Sequence, residues 1–313
     1  TYQDWFTVEQ ELVKADPIQT YQVKGGALFN VNDNLGLFVN TGLVEKAPIL
    51  DNVIYYDGTV ASDPANEKFL HNEIGANFGT QKLGVRVSAY DTDWQDRNLT
   101  KSVTTGQGSS GDTDIIFLRG VNQKHQGLEV ETKVKPNDMV ELDFIASFGN
   151  WKFDGDAEGT YQETEYNSEG QAVGFQTTEY QYALDGLYVG DMPQTSYILG
   201  VTLKPLKGLR LQALYKTYDK NYADWSPSAR EYDGTDDDAD RAQVWEAPGY
   251  SKLDLHASYQ LPIKGYDIAL TGHIFNVLDE VFVQDAVDNS QYNSWGSKEH
   301  LAHNAEVFLG TPR

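Results

Sequence analysis

Apolar and polar residues alternate along many short stretches of the chain. Residues 83–90 read LGVRVSAY, residues 140–148 read VELDFIASF and residues 253–259 read LDLHASY. A period of two places apolar side chains on one face of a β-strand and polar side chains on the other. The pattern predicts ten strands, at residues 19–31, 35–46, 67–79, 83–98, 113–135, 139–153, 193–204, 208–219, 250–261 and 266–280.

Short and long connections between these strands alternate without exception. The short turns are at residues 32–34, 80–82, 136–138, 205–207 and 262–265, and the long segments are at 47–66, 99–112, 154–192, 220–249 and 281–313. Outer-membrane barrels have tight periplasmic turns and long extracellular loops, whereas compact soluble domains rarely carry so many long loops. We therefore predict an all-β fold, a transmembrane antiparallel up-and-down β-barrel, over a soluble β-sandwich.

The six tryptophans fall in the long segments or at the strand ends beside them. Trp94 and Trp151 are expected to form an aromatic girdle at the outer membrane interface. Trp225, Trp245 and Trp295 lie deeper in the loops, and together with Tyr222 they are the predicted ligand-binding residues, which would stack on a ligand. Polar-phase strand positions are expected to face the barrel lumen, namely His71, Arg86, Glu129, Glu131, Glu141, Asp143, Arg210, His256 and His273.

Composition narrows the functional classes. Mean hydropathy is −0.52 and no apolar run is long enough for a transmembrane helix, although barrel strands need only short alternating stretches. The formal net charge of −23 would repel a phosphate backbone, which excludes nucleic acid as a partner. Cysteine is absent, so the chain has neither disulfides nor thiolate metal sites.

Few sequence motifs suggest a catalytic or metal-binding site. The acidic run at 233–240 offers oxygen ligands for calcium, with Asp236, Asp238 and Asp240 as candidates, but it lacks the EF-hand register and an exposed acidic loop is the alternative. The sequence E-H-x-x-H at 299–303 has neither the order nor the spacing of a zinc protease motif. No nucleophile elbow, P-loop or dinucleotide motif occurs. We expect no enzymatic activity and no cofactor apart from calcium in the loop.

Several short motifs, in order along the chain, resemble the TonB-dependent receptor barrel, particularly the versions found in Bacteroidota. They are K-A-P at 46–48, N-E-K at 66–68, W-Q-D-R at 94–97, G-V-N at 120–122, G-L-E at 127–129, I-F-N-V-L-D at 274–279 followed by Phe282, and G-T-P-R at 310–313. Each motif alone is weak, and the resemblance rests on their order and spacing over nearly the whole chain.

The resemblance implies that residues 1–313 are the C-terminal part, roughly half, of a 22-stranded barrel in the outer membrane of a Gram-negative bacterium. An N-terminal plug, the first barrel strands and a last strand with an aromatic terminus would lie outside this sequence. The implied partners are that plug, the remaining strands, TonB, outer-membrane lipid and lipopolysaccharide, and a surface lipoprotein. The implied function is import of a scarce nutrient (siderophore, haem, oligosaccharide, peptide or cobalamin), bound at extracellular loops and moved with TonB-transmitted energy. A passive porin and a surface carbohydrate-binding β-protein are the alternatives.

Overall fold

The computed structural model describes residues 3–5, 12–55, 58–62, 64–105, 112–168, 172–235, 237–290, 292–294 and 298–313. In chain order its strands are β1 (Gln3–Trp5), β2 (Leu12–Lys14), β3 (Gln22–Asn30), β4 (Leu35–Lys46), β5 (Glu67–Gly79), β6 (Leu83–Thr105), β7 (Asp112–Asn137), β8 (Val140–Phe153), β9 (Ala157–Tyr166), β10 (Ala172–Tyr182), β11 (Thr195–Leu206), β12 (Leu209–Asp219), β13 (Asn221–Tyr222), β14 (Glu231–Tyr232), β15 (Glu246–Ala247), β16 (Tyr250–Gln260), β17 (Ala269–Ile274), β18 (Val283–Val287) and β19 (Glu306–Leu309). A one-turn helix α1 spans Pro227–Arg230 and a 3-10 helix spans Leu50–Asn52.

Ten strands form one antiparallel meander, which confirms the ten strands that alternation predicts. Their order in the sheet is β3, β4, β5, β6, β7, β8, β11, β12, β16 and β17. Every neighbouring pair is antiparallel. In the β5–β6 pair, for example, Lys68 lies opposite Gln95 and Gly79 lies opposite Gly84. The fold is all-β, and no described helix is long and apolar enough to cross a membrane.

Tight turns join the strands at one end of the sheet, which we call the turn end. Asn32 closes the β3–β4 turn, because its side-chain oxygen accepts hydrogen bonds from the backbone N–H groups of Asn34 (2.9 Å) and Leu35 (3.0 Å). Thr80 plays the same role before β6, accepting from Leu83 at 3.0 Å. Gly208 adopts a φ of +86° between β11 and β12, a value that favours glycine. These local bonds fix the register of the hairpins.

One face of the sheet is apolar along its whole width. A row that crosses seven strands consists of Phe78, Val85, Thr132, Phe144, Leu199, Tyr215 and Leu253. Many of these side chains are exposed, with Leu199 at 52% and Ile74, two rows away on the same face, at 66%. Exposed apolar surface of this extent marks contact with a membrane or another protein.

The opposite face carries the charges. Arg86 pairs with Glu73 at 2.9 Å, Lys216 pairs with Asp254 at 2.8 Å, and Lys133 lies 3.3 Å from an oxygen of Asp143. The residues predicted to face the lumen all share this polar face, namely His71, Arg86, Glu129, Glu131, Glu141, Asp143, Arg210, His256 and His273. Period-two alternation thus assigned the two faces correctly.

The apolar band ends a few residues short of the other end of the sheet, the loop end. Beyond the row of Ala89, Leu128 and Phe148, the same face presents Asp91 and Gln126, which hydrogen-bond to each other at 2.7 Å. β6 and β7 continue past this boundary as a long hairpin. Residues 99–112 were predicted to be a loop, and this is wrong: β6 runs to Thr105 and β7 begins at Asp112.

The long segments fold into a second layer over the loop end, which we call the outer layer. Within residues 154–192, predicted as a loop, β9 pairs with β10 and also with the β7 extension. The layer has its own core, whose members come from five separate stretches of the chain: Ile116, Leu118, Val121, Phe153, Ala157, Tyr161, Tyr182, Leu184, Leu187, Tyr222, Trp225 and Val244. This core holds the outer layer in a defined shape.

Candidate functional site

Six aromatic side chains gather on the polar face at the loop end, just below the outer layer. This aromatic cluster consists of Phe69, His71, Tyr90, Trp94, His125 and Trp151, from the adjacent strands β5 to β8. All six side chains are half-buried, so part of each ring is open on the polar face. The cluster is therefore accessible to a molecule that approaches along that face.

The rings of the aromatic cluster contact one another directly. His125 stacks on Trp151, with 5.4 Å between ring centroids and 19° between ring planes. The Trp151 indole N–H donates to the Tyr90 hydroxyl at 2.9 Å. Phe69 meets Trp94 edge-on, with 5.8 Å between centroids. Such contacts fix the orientation of the rings, so the open parts form a preorganised stacking surface.

Two glycines make room for this arrangement. Gly127 and Gly149 lie opposite each other in β7 and β8. A Cβ added at Gly127 would overlap the Tyr90 ring, and one added at Gly149 would lie 2.8 Å from the Trp151 indole. The absence of side chains at this pair lets Tyr90 and Trp151 lie flat over the sheet.

Charged groups border the aromatic cluster. The Arg97 guanidinium lies 4.3 Å from the centroid of the Trp94 ring and donates to the Gln123 side-chain oxygen at 3.1 Å. On the other side, the Trp94 indole N–H donates to Glu67 at 3.2 Å. Glu67 is itself ion-paired with Lys46 at 2.8 Å. The site therefore combines ring faces with the Arg97 cation held in place, which suits a planar ligand that carries negative charge.

The predicted membrane girdle of Trp94 and Trp151 is wrong. Trp94 lies opposite Phe69, and Trp151 lies opposite His125, both on the polar face. Counting in steps of two from Val87 and Ala89 places position 94 on the face opposite to these apolar residues. The interface prediction considered only height along the strand and left out this parity.

Two of the predicted ligand-stacking residues lie inside the outer layer. Trp225 is 1% exposed, and its ring contacts Tyr182 (5.4 Å between centroids) and Phe153 (6.5 Å), with the Lys101 ammonium 5.0 Å from its centroid. Tyr222 is 8% exposed and stacks on Tyr188 at 4.2 Å. In this structure both rings are packed against protein, so their role as ligand contacts stays a prediction.

The other predicted loop residues are more open or lie outside the described part of the chain. Trp245 is half-buried, and its backbone N–H donates to the Asp288 carboxylate at 3.0 Å. Asp238 is exposed and Asp240 is half-buried. Trp295 and Asp236 lie outside the described residues.

The structure gives the Asp240 carboxylate protein partners. It accepts a hydrogen bond from His300 at 2.9 Å and lies 3.5 Å from the Arg230 guanidinium. In the described part of the chain, no group of three or more acidic or histidine side chains is arranged to hold a metal ion. Calcium at Asp236, Asp238 and Asp240 stays a prediction, and at Asp240 it would compete with two cationic partners.

A buried charge network joins two long segments of the outer layer. Arg230 and Asp288 are both fully buried and form an ion pair at 3.3 Å. Arg230 also donates to the backbone oxygens of Asp240 (2.9 Å) and Ala242 (2.7 Å). The His300 ring bridges the two carboxylates, with Nδ1 2.6 Å from Asp288 and Nε2 2.9 Å from Asp240. We call these four side chains the buried latch, because they tie residues 220–249 to residues 281–313.

The geometry of the buried latch indicates a protonated imidazole. Both ring nitrogens face carboxylate oxygens, and only the imidazolium has two N–H groups to donate. The hydrogen bond to Asp288 raises the pKa of His300, although burial and Arg230 act in the opposite direction. Burial alone would raise the pKa of Asp240, but the Ala242 N–H and His300 lower it on balance.

These shifts predict a pH dependence for the outer layer. Because the pKa of His300 is raised on folding, its stabilisation is complete below the unfolded value of about 6.5 and is lost as pH rises through the folded pKa. We expect hydrogen-exchange protection of the Trp245 amide to weaken over that rise by about 1.5–3 kcal/mol, the size of a hydrogen bond to a charged group.

Two variants separate His300 from other causes of that change. His300→Gln should remove the pH dependence above about 6.5, whereas His303→Gln, at an exposed position, should leave it intact. Equal pH profiles for the wild type and His300→Gln would show that the latch does not titrate.

Sequence reasoning missed the aromatic cluster as a ligand site. The signal was present, because Phe69, Tyr90, Trp94 and Trp151 all occupy polar-phase positions where alternation predicts polar residues. Aromatic side chains at inward positions of several neighbouring strands indicate a surface that binds rings.

The family of the chain follows from a match over most of its length. A sequence profile of the family described as "TonB dependent receptor-like, beta-barrel" matches residues 2–277. No curated protein matches the sequence.

Several solved structures share the fold at low sequence identity. The chain is similar to the ferric-catecholate import receptor Fiu from E. coli K12 (14% identity, TM-score 0.50, covering 92% of this chain and 33% of that one). It is also similar to BauA, the ferric preacinetobactin receptor from Acinetobacter baumannii (15%, 0.52, 93% and 34%), and to the copper transporter OprC (13%, 0.53, 91% and 37%). The chain thus spans about a third of the length of these structures.

The family match agrees with the antiparallel meander, its apolar and polar faces and its alternation of tight turns and long segments. The chain belongs to the TonB-dependent receptor family, whose members are β-barrel receptors of the outer membrane.

Proposed function

We propose that this chain forms part of the wall and outer surface of a receptor that binds a scarce nutrient outside the cell and imports it with energy transmitted by TonB. The observation that carries the proposal is the position of the aromatic cluster. It lies on the polar face at the loop end, under a folded outer layer, where a ligand entering a barrel from outside would first meet the lumen.

The two faces fit two different surroundings. The apolar face would contact outer-membrane lipid and, near its outer edge, lipopolysaccharide. The polar face would line the lumen and contact the plug, and the exposed carboxylates of Glu129 and Glu131 form no ion pair with any described residue. TonB would act through the plug, and a surface lipoprotein would sit on the outer layer.

The aromatic cluster favours a ligand with flat rings. Trp94 and Trp151 offer indole faces, and Arg97 adds a fixed positive charge beside them. A ferric chelate with aromatic donor groups and haem both present flat ring faces and carry negative charge. The sugar rings of an oligosaccharide are puckered and would stack only through their C–H faces. We therefore propose an anionic ring-bearing nutrient as the ligand.

Transport assays test the proposal directly. Cells that express the full-length receptor should take up one member of a panel of ferric chelates, haem and oligosaccharides, with saturation, only when TonB and a proton gradient are present. Uptake that persists without TonB and does not saturate would instead show a passive porin.

Variants of the aromatic cluster test the site. Trp94→Ala or Trp151→Ala should weaken binding of that nutrient at least about tenfold, which is about 1.4 kcal/mol, because each removes a stacking face. Tyr215→Ala is the matched control, since it removes an exposed aromatic ring from the apolar face. Unchanged affinity in both tryptophan variants would place the ligand elsewhere.

A further inference from the structure

Two histidines face each other across neighbouring strands of the sheet. His256 in β16 and His273 in β17 are direct cross-strand partners on the polar face. Their Nδ1 atoms lie 2.8 Å apart, and their ring centroids lie 5.0 Å apart. When no ion is bound, one imidazole donates its N–H to the other. Backbone pairing on β16 and β17 holds the two rings at this spacing.

This spacing suits the coordination of one metal ion by both rings. Two nitrogens that bind an ion at about 2.0 Å lie about 2.8 Å apart when the angle at the metal is a right angle, and about 3.3 Å apart when it is tetrahedral. The observed 2.8 Å corresponds to neighbouring ligands of a square-planar or tetragonal ion. Both rings must turn so that their lone pairs converge on the ion instead of on each other, and the open cavity beside them leaves room for this.

The cavity on one side of the pair is open and has no carboxylate among the described residues that line it. The pair lies at the wall of this cavity of about 320 Å³, which is also lined by Arg210, Gln212, Ser258 and Phe275. Gln212 is the cross-strand partner of His256 on the other side, and its side chain lines the same cavity. The Asp254 carboxylate lines a second cavity that His273 borders, but it is ion-paired with Lys216 at 2.8 Å. The site therefore offers neutral nitrogen and oxygen donors, which favour imidazole-binding transition metals over calcium or magnesium.

We propose that His256 and His273 form a binding site for a divalent transition-metal ion, with copper(II) preferred. Among first-row divalent ions copper(II) binds nitrogen ligands most strongly, and it favours tetragonal geometry. No third histidine or acidic side chain of the described residues joins the pair. Water, Gln212 or an anion would complete the coordination, and Arg210 at the cavity wall would favour an anion.

The site needs only the two histidines, whereas its place inside a transport lumen rests on the proposed function. A negative result in the TonB-dependent uptake assay would therefore not contradict the metal site. A negative result in the copper titration would not contradict the receptor function. The two proposals are tested by different readouts.

The test is copper titration of the full-length receptor, purified without a polyhistidine tag, stripped with chelator and kept in detergent. Electron paramagnetic resonance should show one copper(II) ion whose spectrum carries the splitting of two nitrogens. Zinc should bind at least about tenfold more weakly than copper, as the affinity order of divalent ions predicts.

Single substitutions decide whether the pair is the site. His256→Ala and His273→Ala should each weaken copper binding at least about tenfold, because loss of even a residue that only hydrogen-bonds to a metal ligand has an effect of that size. Each variant should also remove the two-nitrogen splitting. His71→Ala is the matched control, because His71 lies on the same face and hydrogen-bonds to Thr92 at 2.7 Å, with no histidine opposite. Copper affinity and spectra that are unchanged in His256→Ala would show an adventitious ion only and overturn the proposal.

Discussion

Replacing Arg230 with methionine is expected to open the outer layer. Arg230 and Asp288 are both fully buried, so the variant leaves a carboxylate without its main cationic partner. Removing one partner of a buried ion pair typically costs about 3–5 kcal/mol, and we expect about 3 kcal/mol because His300 still bonds to Asp288. Hydrogen exchange of the Trp245 amide, which donates to Asp288, reports this loss.

Arg241→Met is the matched control for the buried latch. Arg241 lies in the same segment and pairs with Asp156 at 2.8 Å, but its side chain is 37% exposed. The Asp156 side chain is 22% exposed and keeps the hydrogen bonds from the backbone N–H groups of Leu184 and Asp185 in this variant. We therefore expect the variant to change exchange protection of the Trp245 amide far less than loss of the fully buried pair does. Equal effects of the two variants would show that burial does not set the strength of the network.

Placing lysine at position 199 is expected to destabilise the protein in a membrane. Leu199 lies in the middle of the apolar row, is 52% exposed and has Phe144 and Tyr215 as cross-strand partners. A lysine that faces lipid near the centre of the bilayer costs about 2–4 kcal/mol. Urea titration of the full-length receptor in lipid vesicles should show that loss in Leu199→Lys.

Ser196→Lys provides the comparison on the same strand. Ser196 lies on the polar face between Ser147 and Tyr218 and is half-buried. A lysine there reaches the polar side of the sheet, and we expect a change below about 1 kcal/mol. If both variants lose the same stability, the apolar face does not contact lipid.

The sheet was predictable from sequence because a membrane imposes a simple rule on it. One face of each strand must be apolar across the band, so alternation is clear in β8 and β16 and their predicted bounds lie close to the observed ones. β6 continues beyond the band to Thr105, and its predicted end was therefore too early. The alternation of tight turns and long segments also predicted which end of the sheet carries the loops.

The outer layer was not predictable in the same way. β9 and β10 lie beyond the apolar band, where polar side chains suit both faces of a strand, so residues 154–192 show no clear alternation and were assigned to a loop. The burial of Trp225 depends on Phe153 and Tyr182, which are distant in sequence. Single-sequence patterns contain no information about such contacts.

The candidate site was predicted only in part. The lumen-facing charges were placed on the correct face, since parity along a strand decides it. Trp94 and Trp151 were placed at the membrane interface because tryptophan prefers that region, although parity places both on the polar face. The pairing of His256 with His273 depends on the register of β16 and β17, which alternation alone does not fix.

Cysteine scanning of β11 tests the central claim, that the apolar face contacts lipid and the polar face lines a water-filled lumen. The chain has no cysteine, so single substitutions at positions 196–203 give unambiguous labelling sites in this part of the receptor. With a spin label at each position, positions 197, 199, 201 and 203 should be accessible to a lipid-soluble relaxation agent. Positions 196, 198, 200 and 202 should be shielded from that agent and more accessible to a water-soluble one. Equal accessibility of neighbouring positions to the lipid-soluble agent would contradict the account.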